Sequence, residues 1–287
     1  MNRFNADPIY PRKAPMAAPP PYSSSSTSSS PPSGSPITFA AFSLHGLDKL
    51  RFLQIPEAEV PALRAVIQSS WHRGIQREQL YGGSLEFKLH GNPWGHRSTD
   101  AIPSRVIIAC LIQHLYHAGW RLVVATDCTK LLFDKDALLF RRNNARNVLP
   151  GFEDSPGGFV EPREEVDVLV VSFNEADRLR LIGAEESLVQ SIRALLKSMW
   201  KLQSESWRDR ARNAWEFKLN GRPWLATGFE AMTTRKLLLK CLETLERHGW
   251  CLYASVDQNA HREGVDLDVW YCIRRKNWVP GMEVLTR

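Results

Sequence analysis

The chain has 287 residues, a formal net charge of +6, 43% hydrophobic residues and 24% charged ones, the profile of a soluble globular protein of about two domains. No apolar run approaches the roughly 18 residues needed to span a bilayer, and five cysteines without a C-x-x-C argue against a disulfide framework or a structural zinc site. The charge is spread as +2 over residues 1–36, +4 over 37–142, −3 over 143–166 and +3 over 167–287, so no basic block marks a dedicated phosphate-binding surface.

Residues 1–36 hold nine of the eighteen prolines and a Ser/Thr run from Ser23 to Ser30. Such a segment has too little apolar surface to offset its ordering entropy, so a disordered Pro/Ser-rich arm is expected. Pro19, Pro20 and Pro21 suit a polyproline ligand as well as a solvated tail. The arm lacks the apolar core of a signal peptide and the amphipathic pattern of a mitochondrial presequence. Together with reduced thiols, this points to an intracellular, cytoplasmic or nuclear protein.

From Ile37 onward the chain reads as one unit used twice. Glu86-Phe87-Lys88-Leu89-His90-Gly91-Asn92-Pro93-Trp94 returns 130 residues later as Glu216-Phe217-Lys218-Leu219-Asn220-Gly221-Arg222-Pro223-Trp224. Arg105 and Arg235, Gly119-Trp120 and Gly249-Trp250, and Asp127 and Asp257 share that frame. A repeat of this kind decides the fold before any local signal does.

In chain order, Ile37–Leu44 and Val166–Phe173 read as strands. Asp48–Arg51 and Asp177–Arg180 read as a short second strand or a turn. Val60, Leu63, Val66, Ile67 and Trp71 form the stripe of an amphipathic helix, copied by Val189, Ile192, Leu195, Leu196 and Trp200, so both helices are expected to face the core. Leu85–Leu89 and Trp215–Leu219 alternate as strands, with Glu and Lys on the face opposite Phe and Leu. The following Gly-x-Pro-Trp is loop chemistry. A second helix then runs to Gly119 and Gly249, each placed as a C-terminal cap. Two closing strands follow, 121–127 with 137–142 and 251–257 with 269–275. The frame is 133 at the last strand, which implies three extra residues in the second copy's final loop. Residues 143–166, acidic and rich in Pro and Gly, read as a linker.

The expected fold is α+β: two tandem homologous two-layer α/β sandwiches, β(β)αβαββ each, at 37–142 and 167–287. The strand–helix–strand step predicts a parallel pair in a mixed sheet where those strands are neighbours. The copies differ at the second helix. Residues 106–112 of copy one are apolar nearly all round, whereas copy two carries Arg235, Lys236, Lys240, Glu243, Glu246 and Arg247. A helix apolar on all sides is covered on all sides, so the helix of copy one is expected to lie against the other copy or a partner chain.

The repeated motif, followed by Arg105 or Arg235, Gly-Trp and an Asp-ended strand, resembles a family of fungal proteins carrying this duplicated unit over most of 37–287. The resemblance implies no activity and lends neither catalytic nor binding residues.

Candidate binding residues are the positions kept in both copies. Trp94 and Trp224 suit an aromatic platform or a loop anchor. Arg105 and Arg235, in the first turn of a helix where a cation gains nothing from the dipole, suit an anion contact or an ion pair with Asp127 and Asp257. Asp136 and Asp266 could add a second carboxylate to those aspartates. Lys88 and Lys218, each two residues after a glutamate, suit solvated charge pairs or a binding face. His114 and His117 have helical spacing used by metal sites, without a third ligand. No catalytic residue, metal or cofactor is predicted, since no P-loop, G-x-S-x-G, G-x-G-x-x-G or H-E-x-x-H occurs.

The leading expectation is a non-enzymatic intracellular interaction or scaffold protein, with an unknown protein or a second copy as partner and no membrane. The alternatives are single-stranded nucleic-acid binding through open sheet faces and basic strand ends (Arg141, Arg142, Arg274, Arg275), and an enzyme with a site between the repeats.

Overall fold

The computed structural model describes residues 37–95, 100–128, 135–143, 164–258 and 268–286. The N-terminal arm and nearly all of the expected linker fall outside them. Copy one contains β1 (Ile37–His45), β2 (Lys49–Leu53), α1 (Val60–Ser70), β3 (Ile75–Tyr81), β4 (Ser84–Leu89), α2 (Ala101–His117), β5 (Arg121–Thr126) and β6 (Ala137–Asn143). Copy two repeats the order with β7 (Val166–Asn174), β8 (Arg178–Ile182), α3 (Glu186–Ser198), β9 (Leu202–Asp209), β10 (Ala214–Leu219), α4 (Gly228–Arg247), β11 (Cys251–Val256) and β12 (Val269–Arg275). The sheets are β3-β4-β2-β1-β6-β5 and β9-β10-β8-β7-β12-β11, the same topology twice.

The tandem α+β architecture is therefore as the repeat implies, with two differences. Every strand pair is antiparallel. The strands flanking α2, β4 and β5, are separated by β2, β1 and β6, so the expected parallel pair does not form. Each copy also has a strand that periodicity did not announce, β3 and β9. Both lie on a sheet edge and neither has a buried residue, so no core-facing apolar row marks them in the sequence.

Register corrects the final loop. Phe39 pairs with Arg141 and Val168 with Ile273, so Arg141 corresponds to Ile273 (273 − 141 = 132) and the second loop carries two extra residues, not three. Arg142 thus matches Arg274. Each guanidinium lies 4.3 Å from the tryptophan that follows the helix-ending glycine, Trp120 or Trp250. Each also pairs with the carboxylate that precedes α1 or α3, Glu59 or Glu185. The carboxylate is favoured at a helix N-terminus, the cation over the indole. This Glu–Arg–Trp clasp accounts for the duplicated Gly-Trp and occupies two of the four expected strand-end arginines. A third, Arg275, pairs with Glu164.

Phe42, Phe52, Phe87 and Phe140 form the aromatic centre of copy one, each such burial contributing about 1.5–3 kcal/mol. Helix α2 is covered on both sides. Ile107, Ile108, Leu111 and Ile112 are fully buried, in one apolar cluster with Val166, Val170, Ile182, Tyr253, Tyr271 and Ile273 of copy two. Gln113 donates to the Val166 carbonyl at 2.7 Å, and His117 Nε2 accepts the Val166 N–H at 2.9 Å. The apolar-all-round helix packs between the repeats, and His117 of the expected His114/His117 pair is part of that contact. The layers run sheet one, α1 with α2, sheet two, α3 with α4.

The helix stripes hold except at one end. Trp71 is fully buried and its indole donates to the His90 carbonyl. Trp200, expected to match it in the core, is 86% exposed, because α3 stops at Ser198 and the chain turns outward.

Candidate interaction surface

In each sheet, alternate residues face the helices of the same copy and the other residues form an outer face. In copy one, Ala40, Phe42 and Leu44 enter the core, so Phe39, Ala41, Ser43 and His45 lie on the outer face. The register carries this face to Leu53, Arg51 and Lys49 on β2, to Glu86 and Lys88 on β4, and to Arg141 and Leu139 on β6. In copy two the same positions are Val168, Val170, Ser172, Asn174, Ile182, Arg180, Arg178, Glu216, Lys218, Ile273 and Tyr271. That second face is the one that receives α2. One surface is thus filled within the chain, while its homologue on sheet one leaves Phe39 55% and Leu53 44% exposed. Val168 and Ile182 at the matching positions are half-buried and buried.

At the centre of the open face is a charged cluster. Glu86, 1% exposed, accepts from Arg51 Nε and from Gln79 Nε2, each at 2.8 Å, and Arg51 lies 3.9 Å from the Tyr81 ring. Burial pulls its carboxyl up, but the hydrogen bonds from Arg51 and Gln79 and the nearby cations outweigh this and hold it below its ordinary value. In copy two, Glu216 accepts from Arg180 and, at 3.2 Å, from Arg178. Arg180 also donates to Asn174, which donates to Ser172 Oγ. The expected solvated Glu–Lys pairs along one strand are replaced by cross-strand Glu–Arg pairs, since directly opposed residues stand closer than residues i and i+2 of a strand. Lys88 turns instead to Asp48 at 3.6 Å. Lys218 is half-buried on the same face.

The remaining expected residues are scattered. Trp94 is fully buried, with its indole donating to the Lys49 carbonyl at 3.2 Å. Trp224 is half-buried, donates to the Arg178 carbonyl at 2.9 Å and packs edge-on to Phe173. Both pin their loop to the hairpin of the same copy, and base stacking is closed to Trp94. Arg105 is buried on α2 and donates to the Ala101 carbonyl at 3.1 Å. Arg235 is exposed, resting on Met232 Sδ at 4.0 Å. The duplicated arginines therefore occupy unlike surroundings.

The aspartates meet where the repeats join. Asp136 Oδ2 accepts the Asp257 N–H at 2.9 Å, and the Asp257 carbonyl accepts the Asp136 N–H at 3.2 Å. Burial pushes the Asp136 carboxyl up to about 6; the Asp257 N–H opposes this, and the charges of Asp268, Asp257 and Asp127 add to it. Asp266 lies outside the described residues. Among the described residues no group of three or more His, Cys, Asp or Glu could hold a metal ion, and no helix is long and apolar enough to cross a membrane. The thiols of Cys241 and Cys272 are buried and pushed up by burial, the first to about 12, the state of an inert packing thiol.

Sequence reasoning offered open sheet faces as an alternative but missed the apolar floor of this one, because its signal is distributed. Phe39, Leu53 and Leu139 come from three strands, and their meaning emerges only against the filled face of the other copy.

No curated protein and no solved structure matches the chain. One domain family matches it twice, over residues 38–141 and 167–273, the two stretches that form the two sheets with their helices. The chain belongs to that family, and carries its domain in two copies packed through a helix of the first.

Proposed function

We propose that this is a non-enzymatic interaction protein whose open sheet-one face receives an apolar-faced helix from a partner. One observation carries the reading: the homologous face of sheet two is already a helix seat, filled by α2. The open face keeps an apolar floor of Phe39, Ala41, Leu53 and Leu139, beside Lys49, Lys88 and Arg141. A helix with an apolar stripe and acidic flanks complements both. The intracellular setting belongs to the same proposal and rests on cysteine usage. The fungal origin rests on the resemblance of the repeat.

The test is site-specific photo-crosslinking in cells of origin, with the reactive residue at position 39 or, as a control, at exposed Lys240. A discrete protein adduct from position 39, lost when Leu53→Asp is added, supports the reading. An adduct equal at both positions, or none, overturns it. The same face carries basic side chains beside Phe39 and Tyr81, which favours single-stranded nucleic acid as a second reading. Oligonucleotide binding that weakens steeply with salt and is lost in Phe39→Asp would replace the protein partner by that one.

A further inference from the structure

Helices α2, α3 and α4 end in the same hydrogen-bond pattern. Gly119 N–H donates to the Tyr116 carbonyl and Trp120 N–H to that of Leu115; Gly249 and Trp250 do the same with Glu246 and Leu245. At α3 the donors are Trp200, to Lys197, and Lys201, to Leu196. In each case the first of the two donors is left-handed, with φ of 89°, 79° and 56°. Glycine fills that position twice because it has no Cβ to strain. At α3 it is a tryptophan, a bulky side chain in a conformation that disfavours it.

Trp200 returns nothing visible to the fold, since its side chain is 86% exposed. It is also in company. Phe229 is 83% exposed, Met232 52% and Leu225 50%. Two hydrogen bonds and an ion pair gather these residues at one end of copy two, where α3 stops, β10 ends and α4 begins. Asn220 donates to the Trp200 carbonyl at 3.0 Å, Lys201 Nζ is 3.6 Å from Glu230, and Thr234 donates to the Pro223 carbonyl at 3.0 Å. Copy one does not repeat this set. The matching positions in its sequence are Trp71, Gly95, Thr99 and Ile102, of which Trp71 and Ile102 are buried. Contiguous exposed apolar side chains on a folded protein mark an interaction site.

We propose that Trp200, Leu225, Phe229 and Met232 form a second docking site, independent of the sheet-one face, for an acidic peptide segment bearing bulky apolar side chains. The rim supplies the charge argument. Arg222, Arg235 and Lys236 are exposed, and among the described residues no carboxylate pairs with them. Trp200 and Phe229 offer faces on which a nucleobase stacks but Leu225 and Met232 do not, so a nucleic acid would leave half of the apolar set unused. Glu230, 3.6 Å from Lys201, would meet repulsion at a uniformly anionic lipid surface, whereas a peptide can keep its carboxylates clear of it. A peptide can place its apolar side chains on Trp200 and Phe229 and its carboxylates towards Arg222 and Arg235, with the aromatic pair as anchors.

The test compares the full chain with Trp200→Gly and Phe229→Ser in two measurements. In urea unfolding, Trp200→Gly is expected to raise the midpoint, since glycine suits the helix end. In binding, the probes are fluorescein-labelled 12-residue peptides with Leu or Phe at i and i+4 between glutamates, and the same peptides with lysines in place of the glutamates. The acidic set is expected to bind the wild type at least tenfold more tightly than either variant or than the lysine set. A lowered midpoint for Trp200→Gly, or peptide binding that is absent or equal across the variants, overturns the proposal. It is equally overturned if Trp200→Gly instead abolishes binding to phosphatidylserine vesicles, to an oligo-dT strand, or to a second copy in sedimentation. Since Phe39 and Leu53 are untouched, failure here leaves the crosslinking result at position 39 unaffected.

Discussion

The Tyr253 hydroxyl accepts the backbone N–H of Leu122 at 2.5 Å, a buried bond that crosses from the second repeat to the first. Both residues lie beside a register shift that the copies share, between Leu122 and Val124 and between Leu252 and Ala254. Tyr253 also packs edge-on against Tyr116 of α2, with ring centroids 5.8 Å apart. Tyr253→Phe should keep the packing and leave the Leu122 N–H buried without a partner. The expected loss is about 1–3 kcal/mol, read from urea unfolding. A loss confined to Tyr253→Ala, with Tyr253→Phe neutral, would assign the role to the ring instead.

How much of this was legible beforehand follows from what each residue faces. The duplicated core was plain, because Phe87, Leu89, Phe217 and Leu219 are fully buried and burial writes a period into the sequence. The role of α2 was legible too, since residues 106–112 are apolar on every side and copy two supplies the contrast. Strands β3 and β9 were not, for an edge strand without a buried position carries no apolar row to read. Glu86 and Glu216 looked solvated because alternation assigns a face and says nothing of what lies across it. Their arginine partners sit 35 and 36 residues away. Trp200 misled for the opposite reason: the helical stripe predicted its phase correctly up to the turn at which the helix ends.

Breaking the open-face cluster should cost stability in an acid-dependent way. Glu86 is buried while Arg51 retains 20% exposure, so Glu86→Gln is expected to cost about 1–3 kcal/mol near neutral pH. Because the folded carboxyl is held below its ordinary value by Arg51 and Gln79, its stabilisation is complete above an unfolded value of about 4.3 and is lost as pH falls through the lowered one. Wild type and Glu86→Gln should therefore converge in unfolding free energy in strong acid. A constant difference across that range would show that the charge is not what the cluster holds.

The two helix-ending glycines should respond unequally to the same change. A Cβ on Gly119 would meet Arg142 Cδ at 3.7 Å, an ordinary contact, whereas one on Gly249 would fall 2.3 Å from the Trp278 ring. Gly119→Ala then carries only the left-handed backbone penalty, about 1–2 kcal/mol. Gly249→Ala adds the displacement of Trp278, whose indole donates to the Met282 carbonyl, and should cost more, with an overpacking term of about 1–3 kcal/mol. Thermal or urea unfolding of the two variants side by side gives the comparison. Equal losses would mean that the C-terminal segment yields freely.

The junction aspartate predicts a pH response of the opposite sign. Burial raises the Asp136 carboxyl to about 6, against an opposing hydrogen bond from Asp257 N–H and with Asp268, Asp257 and Asp127 adding to the rise. A group raised on folding favours the folded state below its unfolded value, about 3.9, and that contribution disappears as pH climbs through about 6. Between pH 5 and pH 7.5 the wild type should therefore lose stability from this site, by about 1 kcal/mol once its partial exposure is allowed for. Asp136→Asn retains an oxygen to accept the Asp257 N–H and removes the charge. It should flatten the profile over that interval and leave the variant the more stable protein at pH 7.5. If Asp136→Asn is instead less stable than the wild type at pH 7.5, the carboxylate is stabilising the join between the repeats as an anion, and a cation must reach it there.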